Sequence, residues 1–275
     1  MTTTLLIDAD VVAYQAASSV EVATHWGGGY WTWHCDENEV KAAIHDQIDR
    51  YMETLKADAY KLCLTDSEGN FRKTVLPTYK GNRANVKKPL VLLSIKQWMI
   101  DELDAYFRPG LEGDDCMGIL ATTKQLKGDK VIVSIDKDMK TIPGLFYRDV
   151  VDAEMVEISE AEADYWHLYQ TLTGDTTDGY SGCPGIGPVE AKRVLDEQIA
   201  LRPYEHTLKS GPRKGQTETR WEEVPAASLW EVVVSQFQKA GLNEAEALTQ
   251  ARVARILRAS DYDFKKKEPI LWTPR

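Results

Sequence analysis

Three short apolar runs in this chain each end in a carboxylate, and that pattern limits the folds open to it more than any other feature. Leu5–Leu6–Ile7 runs into Asp8, the stretch from Tyr60 to Leu64 runs into Thr65–Asp66, and Val131–Ile132–Val133–Ser134–Ile135 runs into Asp136–Lys137–Asp138. Runs this short and this apolar read as strands buried on both faces of a parallel sheet. Between them lie helical periods: Val40, Ile44, Ile48, Tyr51 and Leu55 keep one apolar face, and Leu92 to Tyr106 forms a second helix. Strand–helix alternation at this spacing predicts an α/β fold, a parallel sheet flanked by helices. Ligands of such sheets gather at the carboxyl ends of the strands, so three acid-tipped strand ends mark one candidate site.

The 275 residues allow one large domain or two modest ones. From residue 159 the composition turns helical, opening on SEAEADYWHLYQTL, where Ser159 and Glu162 fit a capping box. GDTTDGYSGCPGIGPVEAKRVL follows as two glycine-rich turns leading into a short helix. Residues 203–220 are polar and basic and read as a long loop or hairpin, and Glu244 to Arg258 is helical again. The division predicted is a sheet domain over 1–158 and a helical region over 159–275. No eighteen-residue apolar stretch occurs and Asp8 brings charge early, so neither a membrane span nor a secretory signal is expected, and the expected location is cytoplasmic. Cys35, Cys63, Cys116 and Cys183 are far apart without a C-x-x-C pair, which predicts buried thiols rather than a zinc site or a disulfide framework.

The net charge of −10 would argue against a polyanionic partner if the acids were spread evenly. They are instead grouped: Asp8 with Asp10, Glu112 with Asp114 and Asp115, Asp136 with Asp138, and Asp175 with Asp178, with Asp66 as a further member. If LEGDDCMGILA opens a helix, Glu112 and Asp115 share a face, and Asp175 and Asp178 repeat that spacing. Asp136 and Asp138, two apart on an extended strand end, are expected to point to the same side. Carboxylates in such number cannot share a site unpaired, because each charge disfavours its neighbours' ionisation. Hard divalent cations resolve the conflict: Mg²⁺ or Mn²⁺ takes oxygen ligands and the substrate's phosphate. Two such ions about 3.5–4 Å apart can activate a water and stabilise the leaving oxygen of a phosphodiester.

Positive charge comes in two places. FRKTVLPTYKGNRANVKKP holds Arg72, Lys73, Lys80, Arg83, Lys87 and Lys88 around Tyr79, in a segment broken by Pro77, Gly81 and Pro89. A Lys and an Arg there would bind the scissile phosphate and offset its developing charge. The turns at Gly182, Gly185 and Gly187, ahead of a helix carrying Lys192 and Arg193, look like a helix-hairpin-helix. Its glycines would let the backbone approach a phosphate and its helix N-terminus would present free N–H groups to it. Contacts of this kind hold duplex DNA without reading bases.

Taken together, LIDAD, YKGNR, LEGDD, SIDKD, GDTTDGYSG and GIG resemble, in the same order, the motifs of the 5′→3′ exonuclease and flap endonuclease family, with its PIN-like nuclease core. The stretch from ADYWHLYQT through LKSGPRKGQ to ARILR and LW is similar to the T-seven type of phage exonuclease. The resemblance implies a PIN-like core over 1–158 and a helical region with a DNA-binding helix-hairpin-helix over 159–275. It implies a Mg²⁺-dependent 5′→3′ exonuclease acting on duplex DNA by a two-metal mechanism, with flap or RNase H-type activity, Mn²⁺ as a substitute and K⁺ held at the helix-hairpin-helix. Substrates would be double-stranded DNA with 5′ ends, nicks or flaps and RNA/DNA hybrids; the setting would be phage replication, host DNA breakdown or primer removal, with replication proteins as partners. Asp8, Asp66, Glu112, Asp114 and Asp115 would form or support a first metal site, and Asp136, Asp138, Asp175 and Asp178 a second. Lys80 and Arg83 would be the basic catalytic pair, Tyr79 a stacking partner for a terminal base, and Gly182, Gly185, Gly187, Lys192 and Arg193 the grip on the duplex backbone.

The chain departs from the family pattern in three ways. Asp10 stands where many relatives carry a neutral side chain, Pro188–Val189 replaces a frequent Lys so that Lys192 would take over its contact, and the link after YKGNR is short, which favours exonucleolytic use over threading through a long arch. Two other classes of function fit parts of the sequence. Asp8–Ala9–Asp10 fits the D-x-D opening of HAD-type phosphatases, with Asp8 as a covalent nucleophile, and a nuclease fold can survive as a non-catalytic DNA-binding protein. HWGGGYWTWH reads as a hairpin packed on the core, with a base-stacking flap as the alternative. His34, His45, His167 and His206 lack ligand spacing and read as structural. Lys209, Arg213, Lys214 and Arg220 could clamp DNA backbone.

Overall fold

The computed structural model describes residues 2–83 and 86–274. In chain order its elements begin with β1 (Thr3–Asp8), α1 (Ala9–Val20), β2 (Val22–His25), β3 (Trp31–His34), α2 (Glu37–Leu55), β4 (Ala59–Leu64) and α3 (Arg72–Val75). Then come α4 (Leu92–Glu102), β5 (Tyr106–Phe107), α5 (Gly113–Thr122), β6 (Asp129–Ser134), β7 (Gly144–Arg148), β8 (Glu154–Ile158) and α6 (Glu160–Thr173). The chain ends with α7 (Pro188–Asp196), β9 (Ile199–Thr207), β10 (Thr217–Pro225), α8 (Leu229–Lys239), α9 (Glu244–Ala254), β11 (Tyr262–Asp263) and β12 (Glu268–Pro269).

Two compact units result, and neither is a continuous stretch. The first comprises Met1–Phe71, Asn85–Ala163 and Ile256–Ile270; the second comprises Arg72–Ala84, Asp164–Arg255 and Leu271–Arg275. A linear division at 158 and 159 leaves out both exchanges, of 72–84 and of 256–270.

The first unit is built on a six-stranded sheet of order β5-β4-β1-β6-β7-β8. All neighbours are parallel except β7 and β8, so the expected parallel sheet carries one antiparallel edge. Its inner strands show why the apolar runs are continuous. Leu5 and Ile7 of β1 and Val131 and Val133 of β6 join the core formed with α1, α2 and α4, including Val12, Ile44 and Ile95. Leu6 and Ile132, pointing the other way, join Met117 and Ile119 of α5 with Phe146 on the opposite face. Both faces are covered, so alternation with polar residues is absent.

The sheet order has a functional consequence. From β1 the chain builds outward through β4 and β5 and then returns to place β6 on the other side of β1. The carboxyl ends of β1 and β6 therefore flank the switch point, the place where open α/β sheets bind ligands.

In the second unit Leu168 and Leu172 of α6 pack with Val194 and Leu195 of α7 and Val232 and Phe237 of α8. Residues 203–220 fall within a hairpin, β9 paired antiparallel to β10 from Ile199–Pro225 to Thr207–Thr217. Helix α9 stops at Ala254 rather than continuing to Arg258, as Arg255 turns to extended backbone. His167 is buried and its Nε2 bonds the Ala251 carbonyl at 2.8 Å, a structural role as expected. No helix among the described residues is long and apolar enough to cross a membrane.

Candidate active site

Asp8 closes β1 and caps α1, accepting the Val11 N–H at 3.2 Å through Oδ1. Its Oδ2 accepts the Ser134 hydroxyl, at the end of β6, at 2.7 Å. The same hydroxyl oxygen accepts the Asp136 N–H at 3.1 Å, and Asp136 Oδ1 accepts the Asp138 N–H at 2.8 Å. Ser134 thus ties the two strand ends and passes the connection on to the next acids. Residues Lys137–Thr141 form a 3₁₀ turn capped by Asp136, so Asp136 and Asp138 do not lie on an extended strand; a cap replaces the expected side-by-side arrangement.

Burial pushes the Asp8 carboxyl up to about 7, with the Asp10 charge adding to it and the Ser134 and Val11 hydrogen bonds opposing it; Asp136 adds a smaller repulsion. The site is one of excess negative charge held out of water, the condition a divalent cation relieves.

Asp10 belongs to the scaffold of this site. Its Oδ1 pairs with Lys96 Nζ at 2.7 Å and its Oδ2 accepts the Thr65 N–H at 2.8 Å, so its charge is met within the unit. The Thr65 hydroxyl in turn accepts the Gly113 N–H at 2.9 Å, seating the first turn of α5 against the end of β4. Asp66 ties the same two segments together: Oδ1 accepts the Glu68 N–H at 3.0 Å and Oδ2 the Gly110 N–H at 2.7 Å. These contacts place Glu112, the buried cap of α5, and Asp114 in its first turn.

The Glu112–Asp115 spacing serves a capping box. Asp115 Oδ2 accepts the Glu112 N–H at 3.1 Å, and Oδ1 accepts the Leu257 N–H at 3.0 Å. Asp115 is fully buried, with both oxygens on backbone donors, which takes it out of the expected ligand set and makes it a positioning residue for Glu112. The sequence assigns Ser134, Thr65 and Lys96 no role; the signal it offers is the Ser and Thr standing at two of the acid-tipped strand ends.

The remaining predicted residues lie in the second unit. Asp175 and Asp178 sit in a turn closed by the Asp175–Tyr180 bridge, not on a helix face, and Asp175 Oδ1 accepts the N–H groups of Thr177 at 2.7 Å and Asp178 at 3.3 Å. Around Asp178 gather the Tyr79 hydroxyl at 2.9 Å, Lys80 Nζ at 3.5 Å and Arg83 Nη2 at 2.5 Å. The YKGNR segment is thereby fastened to the GDTTDG turn, and its Lys and Arg share one carboxylate. Tyr79 is 2% exposed and packs with Tyr180, Val253 and Ala254. It offers no open ring face, so the stacking role expected of it is corrected to a structural one.

The helix-hairpin-helix expectation finds a tight turn followed by α7. A Cβ on Gly182 would stand 2.3 Å from the Gly174 nitrogen and 2.5 Å from the Leu172 oxygen, so only glycines allow this approach. Gly187 caps α7 and Pro188 occupies its first turn, while Gly185 and Gly187 are exposed with open space beside them. Lys192 is exposed and pairs with Asp196 on its own helix, at 2.7 Å. Arg193 is committed elsewhere, at 2.8 Å from Glu190 and 2.7 Å from Glu223, which hold its guanidinium firmly protonated. Its expected backbone grip is corrected to an internal ion-pair node joining α7 to β10.

Residues 3–164 match the family model described as 5′-3′ exonuclease, N-terminal resolvase-like domain. The exodeoxyribonuclease of Enterobacteria phage T3 is 38% identical to this chain and the exonuclease of Escherichia phage T7 is 37% identical, each alignment covering 98% of this chain and 93% of the relative. A flap endonuclease Xni of Vibrio parahaemolyticus is 34% identical over 48% of this chain and 55% of its own length. In fold, the chain is similar to the T5 5′-exonuclease, with a TM-score of 0.51 at 14% identity over 72% of this chain and 73% of that one. These matches leave the HAD-type and binding-only alternatives without support. By the family model over more than half of its length and by both phage relatives, the chain belongs to the 5′-3′ exonuclease family.

Proposed function

We propose that this chain hydrolyses phosphodiester bonds of duplex DNA from the 5′ end, using two divalent ions held at the ends of β1 and β6. The observation that carries the reading is the Asp8–Ser134–Asp136–Asp138 chain at the switch point, with Asp8 buried and surplus in charge. The donors are all hard oxygens, which fits Mg²⁺, with Mn²⁺ able to replace it. Among the described residues no three His, Cys, Asp or Glu side chains form a closed metal-holding group. Mg²⁺ does not require one, since it is usually held by one or two carboxylates, waters and substrate phosphate. Solved T5 enzyme structures are described as holding metal ions, and one as a complex with DNA and metal ions, which supports the reading by likeness of fold.

Asp8, Glu112 and Asp114 would hold the first ion, and Asp136 and Asp138 the second. Bound ions would supply an activated water and stabilise the charge on the leaving oxygen. The chain's own residues do the positioning. Ser134 fixes the Asp8 carboxylate, Lys96 neutralises Asp10, and the Asp66 and Thr65 staples fix the start of α5. Lys80 and Arg83 carry the positive charge that would meet the scissile phosphate. Lys192 and the N–H groups at the start of α7 would hold the duplex backbone, with K⁺ at the preceding turn.

The reading is tested by Asp138→Ala. Cleavage of 5′-labelled duplex in Mg²⁺ should fall at least a thousandfold while duplex binding in EDTA stays within about threefold of wild type. Cleavage at near wild-type rate would refute the site assignment.

A further inference from the structure

The β2–β3 hairpin has no part in the carboxylate site, and its composition is unlike the rest of the chain. Residues 22–34 hold three of the eight tryptophans, one tyrosine and two histidines, with no Asp or Glu, in a chain of net charge −10. Contrary to the expectation of a hairpin packed on the core, every residue of both strands is exposed. Trp26 is 71% and Tyr30 76% exposed, and Trp31 and Trp33 remain about half open.

The rings are ordered rather than scattered. Register pairs His25 with Trp31 and Ala23 with Trp33, which puts His25, Trp31 and Trp33 on one face. His25 and Trp31 stack with centroids 4.5 Å apart and planes 26° apart, and Trp31 and Trp33 lie 6.4 Å apart at 25°. Lys87 Nζ stands 4.9 Å from the Trp33 ring centroid. The carboxylate at the hairpin's base, Glu21, is met by Lys87 and by the Leu90 N–H at 2.7 Å. On the other face Trp26 Nε1 donates to Thr32 Oγ1 at 2.8 Å, bracing the strands. The turn is Gly27–Gly28–Gly29, all in the left-handed region at φ 86°, 59° and 83°, which residues with side chains rarely adopt.

A run of near-parallel rings, open to solvent, matches the flat faces of unpaired nucleobases. Bases inside a duplex are already stacked on one another and offer no free faces to such a ladder. We propose that the His25–Trp31–Trp33 face binds single-stranded DNA by stacking with its bases. The proposal deepens the nuclease reading and rests on it for the choice of DNA as ligand.

The test uses the full chain in EDTA, with fluorescein-labelled oligo(dT) and a blunt duplex as probes. Trp31→Ala/Trp33→Ala should weaken oligo(dT) binding about tenfold or more, leave blunt-duplex cleavage in Mg²⁺ within twofold, and leave the thermal midpoint unchanged because both rings are surface groups. Trp31→Phe/Trp33→Phe should restore most of the lost affinity. Oligo(dT) affinity within twofold of wild type in the Ala variant would overturn the proposal. So would unchanged affinity together with a shift from a self-associated species to a monomer in sedimentation, which would make this face a contact between copies of the chain. Wild-type cleavage of the blunt duplex in Mg²⁺ tests the nuclease reading separately, so the two failures are distinguishable.

Discussion

Ser134 Oγ lies 2.7 Å from Asp8 Oδ2 and joins the carboxyl ends of two adjacent parallel strands at the point where the sheet order reverses. Groups that orient a metal ligand in this way commonly account for ten- to a hundredfold in metal affinity or activity. Ser134→Ala is therefore expected to raise the Mg²⁺ concentration for half-maximal cleavage about tenfold, with Ser134→Thr close to wild type. A Mg²⁺ titration that superimposes on wild type would show that the hydroxyl does not position Asp8.

Asp115 and Asp138 separate structure from chemistry. Asp115→Ala leaves two buried N–H groups, of Glu112 and Leu257, without their acceptor, which should cost about 2–4 kcal/mol of stability, read as a lower urea midpoint. Asp138→Ala should leave that midpoint nearly unchanged while removing cleavage. An Asp115→Ala protein of wild-type stability would contradict the capping-box account.

Of Gly182, which is buried, and Gly185, which is exposed, only Gly182 should be indispensable. Gly182→Ala places a Cβ within 2.5 Å of backbone on two sides at φ 64°, and should render the second unit sensitive to proteolysis. Gly185→Ala meets open space at φ 80° and carries only backbone strain, about 1–2 kcal/mol. Equal protease resistance of the two variants would refute the close approach of 174 and 182.

Asp149, whose N–H bonds the Ser134 carbonyl at 3.2 Å, gives a pH signature in stability. Burial alone would raise its carboxyl, but hydrogen bonds from Arg50 at 2.9 Å and the Tyr51 hydroxyl at 2.7 Å prevail and hold it below the usual range. Burial and the bond to Asp149 push Tyr51 up to about 12. A carboxyl depressed on folding contributes stability that is present above its unfolded pKa and lost as pH falls through its folded value. Wild type should therefore exceed Asp149→Asn in urea midpoint at pH 7, and the gap should shrink as the pH falls through the acid range below the unfolded carboxylate's value. A gap that is constant with pH would contradict the ion-pair assignment.

Much of this molecule is legible in its sequence where one residue has one job. The β1, β4 and β6 runs are continuous because both faces of those strands are covered, and that is visible as Leu5–Leu6–Ile7 and Val131–Ile132–Val133. The two-residue edge strand β5 and the last two strands of the sheet, β7 and β8, carry no such run and are not legible in the sequence. Acids are harder, because a metal ligand and a cap look alike in sequence. Glu112 and Asp115 have helix-face spacing, yet the spacing closes a capping box; Asp136 and Asp138 are spaced for a strand, yet one caps the turn that contains the other. Tyr79 and the tryptophan hairpin fail in opposite directions. Tyr79 sits in a basic, polar segment but is buried by Tyr180 and Val253, partners distant in sequence, whereas Trp31 and Trp33 are apolar in composition but find no core to cover.

The most direct test of the central claim uses blunt duplex labelled separately at its 5′ and 3′ ends, incubated with the purified chain in Mg²⁺ and in EDTA. The account predicts early, Mg²⁺-dependent release of the 5′ label in short products while the 3′-labelled strand shortens progressively, and no release in EDTA or with Asp138→Ala. Release of the 3′ label first, or equal release of 5′ label in EDTA, would contradict it.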